Sequence, residues 1–442
     1  MRIGLRREDK YPLEARVPIV PEDVRRLVRD EGIEVVVETS RRRVFADGPF
    51  AEAGARVCGD LLDCPVIFGV KEIPVERLEP KKTYVFFSHV IKGQAHNMPM
   101  LKRMMELGCS LIDYERIVDD AGRRLVLFGR YAGLAGMINT LWTLGRRWAA
   151  RGIQTPLARL RQARDYGCVA EAKRVIAGVG DEVRSVGLPA SVEPLVCGFA
   201  GYGNVSKGAQ EVYDLLPVET VAPDEVGRVR GRSGEHGRKV YKVVFREEHT
   251  VEPIDPGAVF ELDDYYRHSE RYRARFAQYL PDLSILVNCI YWEPRYPRLV
   301  AKADVRALFA GGARPRLEVI GDITCDVGGS IECNVRATDL DNPVYVWDPI
   351  RDEGVDGVEG DGPVVMAVDI LPAELPADSS REFSRILMPF VPAIARADYS
   401  VAFDACPLPP QIRRAMIVHR GQLTEGYRYI EEYVKRSDAA TS

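Results

Sequence analysis

A chain of 442 residues, 46% hydrophobic and 29% charged, is too long for one compact core and reads as two domains or three lobes. Its formal net charge of −4 and pI near 6.0 give no reason to expect nucleic acid or an anionic membrane as a partner, and no apolar run approaches the ~20 residues of a membrane span. Nine scattered cysteines without a C-x-x-C pair predict free thiols in a reducing, cytoplasmic setting, with neither a disulfide framework nor a zinc site.

The opening MRIGLRRE carries no signal-peptide core and reads as a strand. A helix over 21–30 starts with Pro21 in its first turn and ends near Gly32. Strand-like runs follow at 34–38, 65–70, 83–88 and 110–114, with a helix over 99–107 before the last. Asp119–Gly122 reads as a turn, with 125–128 as the returning strand of a hairpin. A long helix spans about 131–151, with Gly133 and Gly136 placed for close approach of a neighbour; it reads as a domain connector. Helix 170–177 precedes a strand at 195–200, and a second strand covers 218–222. The charged, Gly-rich stretch 223–239 reads as a mobile surface loop, 239–245 as a strand and 263–278 as one helix. The apolar runs 284–290, 317–323 and 363–371 suit central parallel strands, and helices at 380–390, 409–419 and 424–435 close the chain.

Within that pattern, Pro194–Val212 (PLVCGFAGYGNVSKGAQEV) runs from buried strand to glycine turn to helix. This is how a dinucleotide pyrophosphate is held: glycines admit the phosphates, and the helix start offers free N–H groups. Gly201, Gly203 and Gly208, with Asn204 and Val205 at the helix start, are the expected contacts. The spacing G-x-G-x-x-x-x-G is two residues longer than the usual fingerprint, so an ordinary strand–helix turn is the alternative. An NAD-preferring site carries an acid at the end of the second strand. Here that strand ends Thr220-Val221-Ala222, and Arg228, Arg230 and Arg232 follow. That predicts NADP(H) as the preferred cofactor, with NAD(H) possible.

Three groups in the first lobe can carry chemistry. Arg16 (EARVPIVP) can clamp a carboxylate in two-pronged fashion, or be a solvated surface arginine. Lys71-Glu72 ends an apolar strand, where a partly desolvated lysine can polarise a carbonyl or exchange protons; a solvated strand-end lysine is the alternative. His89 ends the next strand and suits general acid–base work, with His96 as fallback. In the second half, Asp322 and Asp326 (GDITCDVGGSIE) lie at a strand end where a nicotinamide would sit, or simply form a turn.

The blocks EARVPIVP, VKEIP, FFSHVIKGQAHNMPML, LIDYERIVDDAGRRLVLFGRYAGLAGMINTL, GYGNVSKGAQEV, DITCDVGGSIEC and VDILPAELP occur in the order expected of one family. The chain resembles the lysine-ketoglutarate reductase domain of aminoadipic semialdehyde synthases and, more distantly, lysine-forming saccharopine dehydrogenases and alanine dehydrogenase. The resemblance implies an α/β protein of two Rossmann-like domains with parallel sheets and an active site in the interdomain cleft. The catalytic domain is then discontinuous, 1–130 plus about 372–442, around a dinucleotide domain at 131–371. It also implies NADPH-dependent reductive condensation of L-lysine with 2-oxoglutarate to saccharopine. Lys71 and His89 stand at the catalytic positions, Arg16 and Arg124 at carboxylate-binding arginines, and Glu72 and Glu115 at acids that tune the lysine and histidine. Asp326 stands at an acid near the nicotinamide. The expected partners are therefore a small amino acid and a 2-oxoacid, in a monomer or homo-oligomer. A dehydrogenase or imine reductase acting on another amine and oxoacid is the first alternative. A silent nucleotide- or amino-acid-binding regulator is the second.

Overall fold

Short apolar runs alternating with amphipathic helices build two parallel-rich sheets. In chain order the first strands are β1 (Arg2–Leu5), β2 (Glu34–Glu38), β3 (Arg56–Cys58), β4 (Val66–Phe68), β5 (Thr83–Phe86) and β6 (Ser110–Asp113), with helices α1 (Pro21–Arg29), α2 (Asp47–Glu52) and α3 (Met98–Glu106) between them. Helices α4 (Gly129–Ala150) and α5 (Val169–Val186) lead to β7 (Leu195–Ala200), α6 (Asn204–Tyr213), β8 (Val218–Thr220) and β9 (Val240–Phe245). Then come β10 (Val251–Pro253), β11 (Tyr272–Ala274), β12 (Ile285–Asn288), β13 (Val319–Asp322), β14 (Val344–Asp348), β15 (Glu353–Asp356) and β16 (Val364–Met366). After further helices, β17 (Met416–His419) and β18 (Gln422–Leu423) follow. This computed structural model describes residues 1–231, 236–311 and 314–441, with side chains as far as residue 436.

The chain divides into two units, Met1–Phe128 with Pro376–Ser442, and Gly129–Leu375. The first holds a sheet of order β18-β17-β6-β5-β4-β1-β2-β3, parallel from β3 to β6. The second holds β15-β14-β16-β13-β12-β7-β9-β8, parallel from β8 to β16. Both are α/β sheets wound outward in two directions from a central strand. Ligands in such sheets bind beyond the carboxyl ends of the strands where the winding reverses: β1/β4 in the first unit and β7/β12 in the second.

Several expectations fail where a distant partner decides. The run 263–278 is not one helix: Leu262–Arg267 is helical, and Tyr272–Ala274 leaves to pair antiparallel with β10. Met416–His419 ends the expected 409–419 helix early because this apolar run pairs with β6. Residues 125–128 form no strand; a single bridge joins Val118 to Arg124. Helix α5 runs nine residues past 177, since Gly180 lies against the Leu215 carbonyl and so suits the helix interior. Strands β14 and β15 went unpredicted. The expected loop at 223–239 is a 3-10 segment over Pro223–Gly231 with Val226 and Val229 buried; Arg232 lies outside the described residues.

Helix α4 packs on α6 almost backbone to backbone. A Cβ at Gly133 would collide with the Val205 carbonyl, and one at Gly208 with the Arg130 carbonyl. Gly133→Ala is therefore expected to cost about 1–3 kcal/mol in urea denaturation. Gly203→Ala, whose methyl would meet nothing within 4 Å, is expected to cost at most about 1 kcal/mol.

Candidate functional site

The candidate acid–base site lies in the first unit, beyond the carboxyl ends of β1, β4, β5 and β6. Past β4 the backbone runs Gly69-Val70-Lys71-Glu72, and Glu8, three residues past β1, reaches across to it. Glu8 Oε1 accepts from the Val70 amide (2.7 Å) and Oε2 from the Lys71 amide (3.0 Å). Glu8 is buried, and burial pushes its carboxyl up to about 7 against the pull of Arg6 and the two amides. The Lys71 ammonium stands 5.6 Å from the centre of the Tyr11 ring.

Glu72 is buried beside His89. Its Oε1 accepts from His89 Nδ1 (2.7 Å) and Asn97 Nδ2 (3.3 Å), and Lys10 Nζ lies 3.4 Å away. Burial raises its pKa, but the His89 hydrogen bond and charge, its own backbone amide and Lys10 outweigh this and hold the carboxyl at about 2. With Nδ1 committed to a carboxylate, His89 keeps Nε2 for proton exchange with a ligand. The residue sits at φ 47°, a left-handed conformation unusual for a side chain of this size, and its ring stacks against Phe87 at 6.2 Å. The turn that sets this conformation is tied down by Asp113 at the end of β6, which accepts from the Ser88 amide (3.2 Å), the Ser88 hydroxyl and the Glu115 amide (2.7 Å). Burial pushes Asp113 up to about 6.

The other predicted residues are placed differently. Arg16 is buried with Nε 2.7 Å and Nη2 2.5 Å from the two Glu14 oxygens, and its guanidinium lies 4.4 Å over the Phe128 ring. One whole edge of the expected carboxylate clamp is thus engaged within the protein. Arg124 forms an ion pair with Glu115. Glu72 serves His89, and Glu8 supports the lysine backbone, so the pairing of tuning acids differs from the expected one. His96 is exposed in a 3-10 turn. Sequence reasoning missed Glu8, Lys10, Asn97 and Asp113. Glu8 and Lys10 follow β1 and Asp113 ends β6, so nearness to strand ends was their available signal, whereas Asn97, at the start of α3, offered none.

In the second unit the Gly loop joins β7 to α6. Gly201 has φ +95°, Gly203 is the N-cap of α6, and the space where a Gly203 Cβ would stand is open. The amides from Asn204 to Ser206 precede the first i→i−4 bond of the helix, Lys207 to Gly203 (2.9 Å), and point to its free end. A pocket of about 490 Å³ beside the loop is lined by Gly201, Gly203, Arg246, Glu247, Tyr266 and Tyr291 among others. An open glycine turn, a free helix start and an adjoining aromatic pocket fit a dinucleotide. Gly208 faces α4, so its role is packing rather than cofactor contact. Asp322 is buried, with Oδ1 accepting from Asn288 (2.8 Å) and Oδ2 from Asn334 (2.8 Å), so it organises the loop after β13 rather than meeting a cofactor. Asp326 is exposed in that loop.

The strand order corrects the cofactor argument. On the side away from β12, β7 pairs with β9, whereas β8 is the outer edge strand. Ala222 and Arg228 therefore follow the wrong strand for the Gly-loop pocket, which β9 reaches through Arg246 and Glu247. Glu247 Oε1 accepts from Tyr266 (2.7 Å) and Tyr202 (3.5 Å), and Arg246 lies over the Tyr202 ring at 5.1 Å.

The depressed pKa of Glu72 predicts the pH dependence of stability. A carboxyl lowered from 4.5 to about 2 adds stability that is complete above pH 4.5 and fades as pH falls toward 2. The stability gap between the wild type and Glu72→Gln in denaturant titrations should accordingly be largest above pH 4.5 and narrow below it.

The N-terminal domain model of the alanine dehydrogenase/PNT family matches residues 4–135, and its C-terminal domain model matches residues 265–426. Over 97% of its length the chain is 38% identical to an alpha-aminoadipic semialdehyde synthase of Arabidopsis thaliana, of which it spans 41%. It is 28% identical to a saccharopine dehydrogenase (NAD(+), L-lysine-forming) of Emericella nidulans, over 88% of this chain and 90% of that one. A solved L-alanine dehydrogenase shares the fold, with a TM-score of 0.63 at 18% identity over 99% of this chain and all of that one. Matched by the models of both its domains, the chain belongs to the alanine dehydrogenase/PNT family.

Proposed function

We propose that the protein joins the side-chain amine of L-lysine to C2 of 2-oxoglutarate and reduces the product to saccharopine. The observation that carries the reading is the Glu72–His89 pair next to Lys71 beyond the strand ends of the first unit. The names of the relatives, a semialdehyde synthase and a lysine-forming saccharopine dehydrogenase, favour this amine and oxoacid within the wider family.

The chemistry asks for proton management at one oxygen. Amine addition to the ketone gives a carbinolamine, and loss of water from it leaves an imine. His89, its Nδ1 held by Glu72, takes the proton from the attacking amine and returns one from Nε2 to the departing hydroxyl. The Lys71 ammonium hydrogen-bonds the carbonyl oxygen and stabilises the charge that grows there. Gly201, Gly203 and the start of α6 would hold a nicotinamide dinucleotide, which would supply the hydride for the imine. Arg124, exposed and paired with Glu115 at the surface, is free to exchange that partner for a substrate carboxylate.

Cofactor choice rests on Arg246 and Glu247 in this reading. A guanidinium there can bind a 2′-phosphate and a carboxylate can bind a ribose 2′-hydroxyl, so both NADP(H) and NAD(H) are accepted. Glu247→Ala should shift the kcat/KM ratio toward NADP(H), and Arg246→Ala toward NAD(H).

The decisive assay supplies NADPH or NADH, 2-oxoglutarate and lysine, with product identified by mass spectrometry. Saccharopine is expected; its absence with both cofactors, while another amine or ammonia is consumed, would transfer the reading to a different amino-acid dehydrogenase. His89→Ala and Lys71→Ala are each expected to lower kcat by about 10²-fold or more.

A further inference from the structure

Beyond Phe68 the pairing of β4 with β5 runs only as far as Val70, whose carbonyl accepts from the Phe87 amide at 3.1 Å, and the next amides need acceptors. Gly69 still finds one, donating to the Val85 carbonyl at 3.0 Å. The following two, Val70 and Lys71, are both taken by a single side chain, one on each oxygen of Glu8. The close pass is possible because residue 69 has no side chain: a Cβ there would lie 3.0 Å from Arg6 Cδ and 3.4 Å from Glu8 Oε1. Arg6 in turn continues the β1–β4 pairing through its amide to Phe68 O (3.0 Å), and its guanidinium joins Asp9 at 2.6 Å. The carboxylate thus acts as a substitute strand for the two residues that carry Lys71 out of the sheet.

We propose that Glu8 is a positioning residue for the reaction, a two-pronged clamp on the backbone of Val70 and Lys71 that fixes where the Lys71 ammonium stands. It touches no substrate and acts only through Lys71, so the inference rests on the catalytic reading of that lysine. The clamp is complete only while both oxygens accept. A protonated Glu8 would turn an O–H toward one of the two amides and release it. Glu8 faces Arg6 from its own segment and Glu14 and Tyr114 from neighbouring ones, while the charge of Lys71 acts on Glu14. With the carboxyl pushed up to about 7 by burial, the clamp closes as pH rises through neutrality.

The test uses Glu8→Gln, an isostere with one acceptor and one donor at any pH, and Glu8→Asp, which keeps the charge but is one methylene too short to span both amides. Each is compared with wild type for kcat against pH, for the KM of the dinucleotide, and for the pH dependence of Lys71 acetylation by limiting acetic anhydride, read by mass spectrometry. The expected result for Glu8→Gln is a kcat about tenfold to a hundredfold lower at pH 8, an unchanged dinucleotide KM, and a Lys71 acetylation profile altered above pH 7. His89→Gln should leave that acetylation profile as in wild type, which separates Glu8 from the histidine. Wild-type kcat together with a wild-type Lys71 profile in Glu8→Gln overturns the proposal; should that variant fail to fold, the same two readouts on Glu8→Asp decide it. A wild-type kcat in Lys71→Ala would instead overturn the catalytic reading, while the acetylation profile would still report on the clamp.

Discussion

A parallel strand that stops leaves backbone amides beyond its end with no neighbouring strand to accept them, and a buried amide must still be paired. Both units meet this constraint with buried carboxylates at the carboxyl ends of their strands. Glu8 takes two amides past β4, Asp113 takes those of Ser88 and Glu115 past β5 and β6, and Asp322 takes that of Cys325 past β13. Each gives up hydration to do so, and burial pushes their carboxyls up to about 7, 6 and 6 respectively. The functional loops are held by groups whose charge is expensive, which ties the geometry of the site to its protonation.

Glu72 shows the opposite balance in the same neighbourhood. It is as thoroughly buried, but its partners are a histidine and a lysine, and its carboxyl is held near 2. For Glu8, two amides and an arginine 3.9 Å away do not offset the loss of water, whereas for Glu72 the histidine at hydrogen-bond distance and Lys10 do. Two kinds of buried acid follow: those that carry backbone, and one that orients an imidazole. The left-handed backbone of His89 belongs to this arrangement, since the Ser88 and Asp113 contacts hold the turn that aims the ring at Glu72.

Local pattern was enough for the strands over 34–38 and 195–200, the helix opening at Asn204, and the long helix after Phe128. It was enough too for placing Lys71 and His89 at successive strand ends. It failed where charge or apolarity had two outlets. The opening MRIGLRRE reads as a strand, but β1 ends at Leu5, and Arg6 and Glu8 are buried beyond it. Arg16 resembled a free clamp until Glu14, two residues before it in the chain, closed on it. Tyr272–Ala274 and Met416–His419 had helical surroundings and became strands because β10 and β6 offered ladders.

The sequence by itself determined the class of fold, the glycine turn between β7 and α6, and the position of Lys71 and His89 just beyond two successive strands. The turn and the two strand ends are written in runs of fewer than twenty consecutive residues, and the fold class in the alternation of such runs along the chain, where period and turn chemistry are local properties. Only the tertiary structure decided which strand lies beside β7. With β9 there instead of β8, the residues that line the pocket beside the Gly loop are Arg246 and Glu247 rather than Ala222 and Arg228. It likewise decided that Glu72 serves His89 and that Glu8 carries Lys71. Strand neighbours and buried ion pairs join residues far apart in the chain, and their energies depend on burial, which no short stretch of sequence specifies.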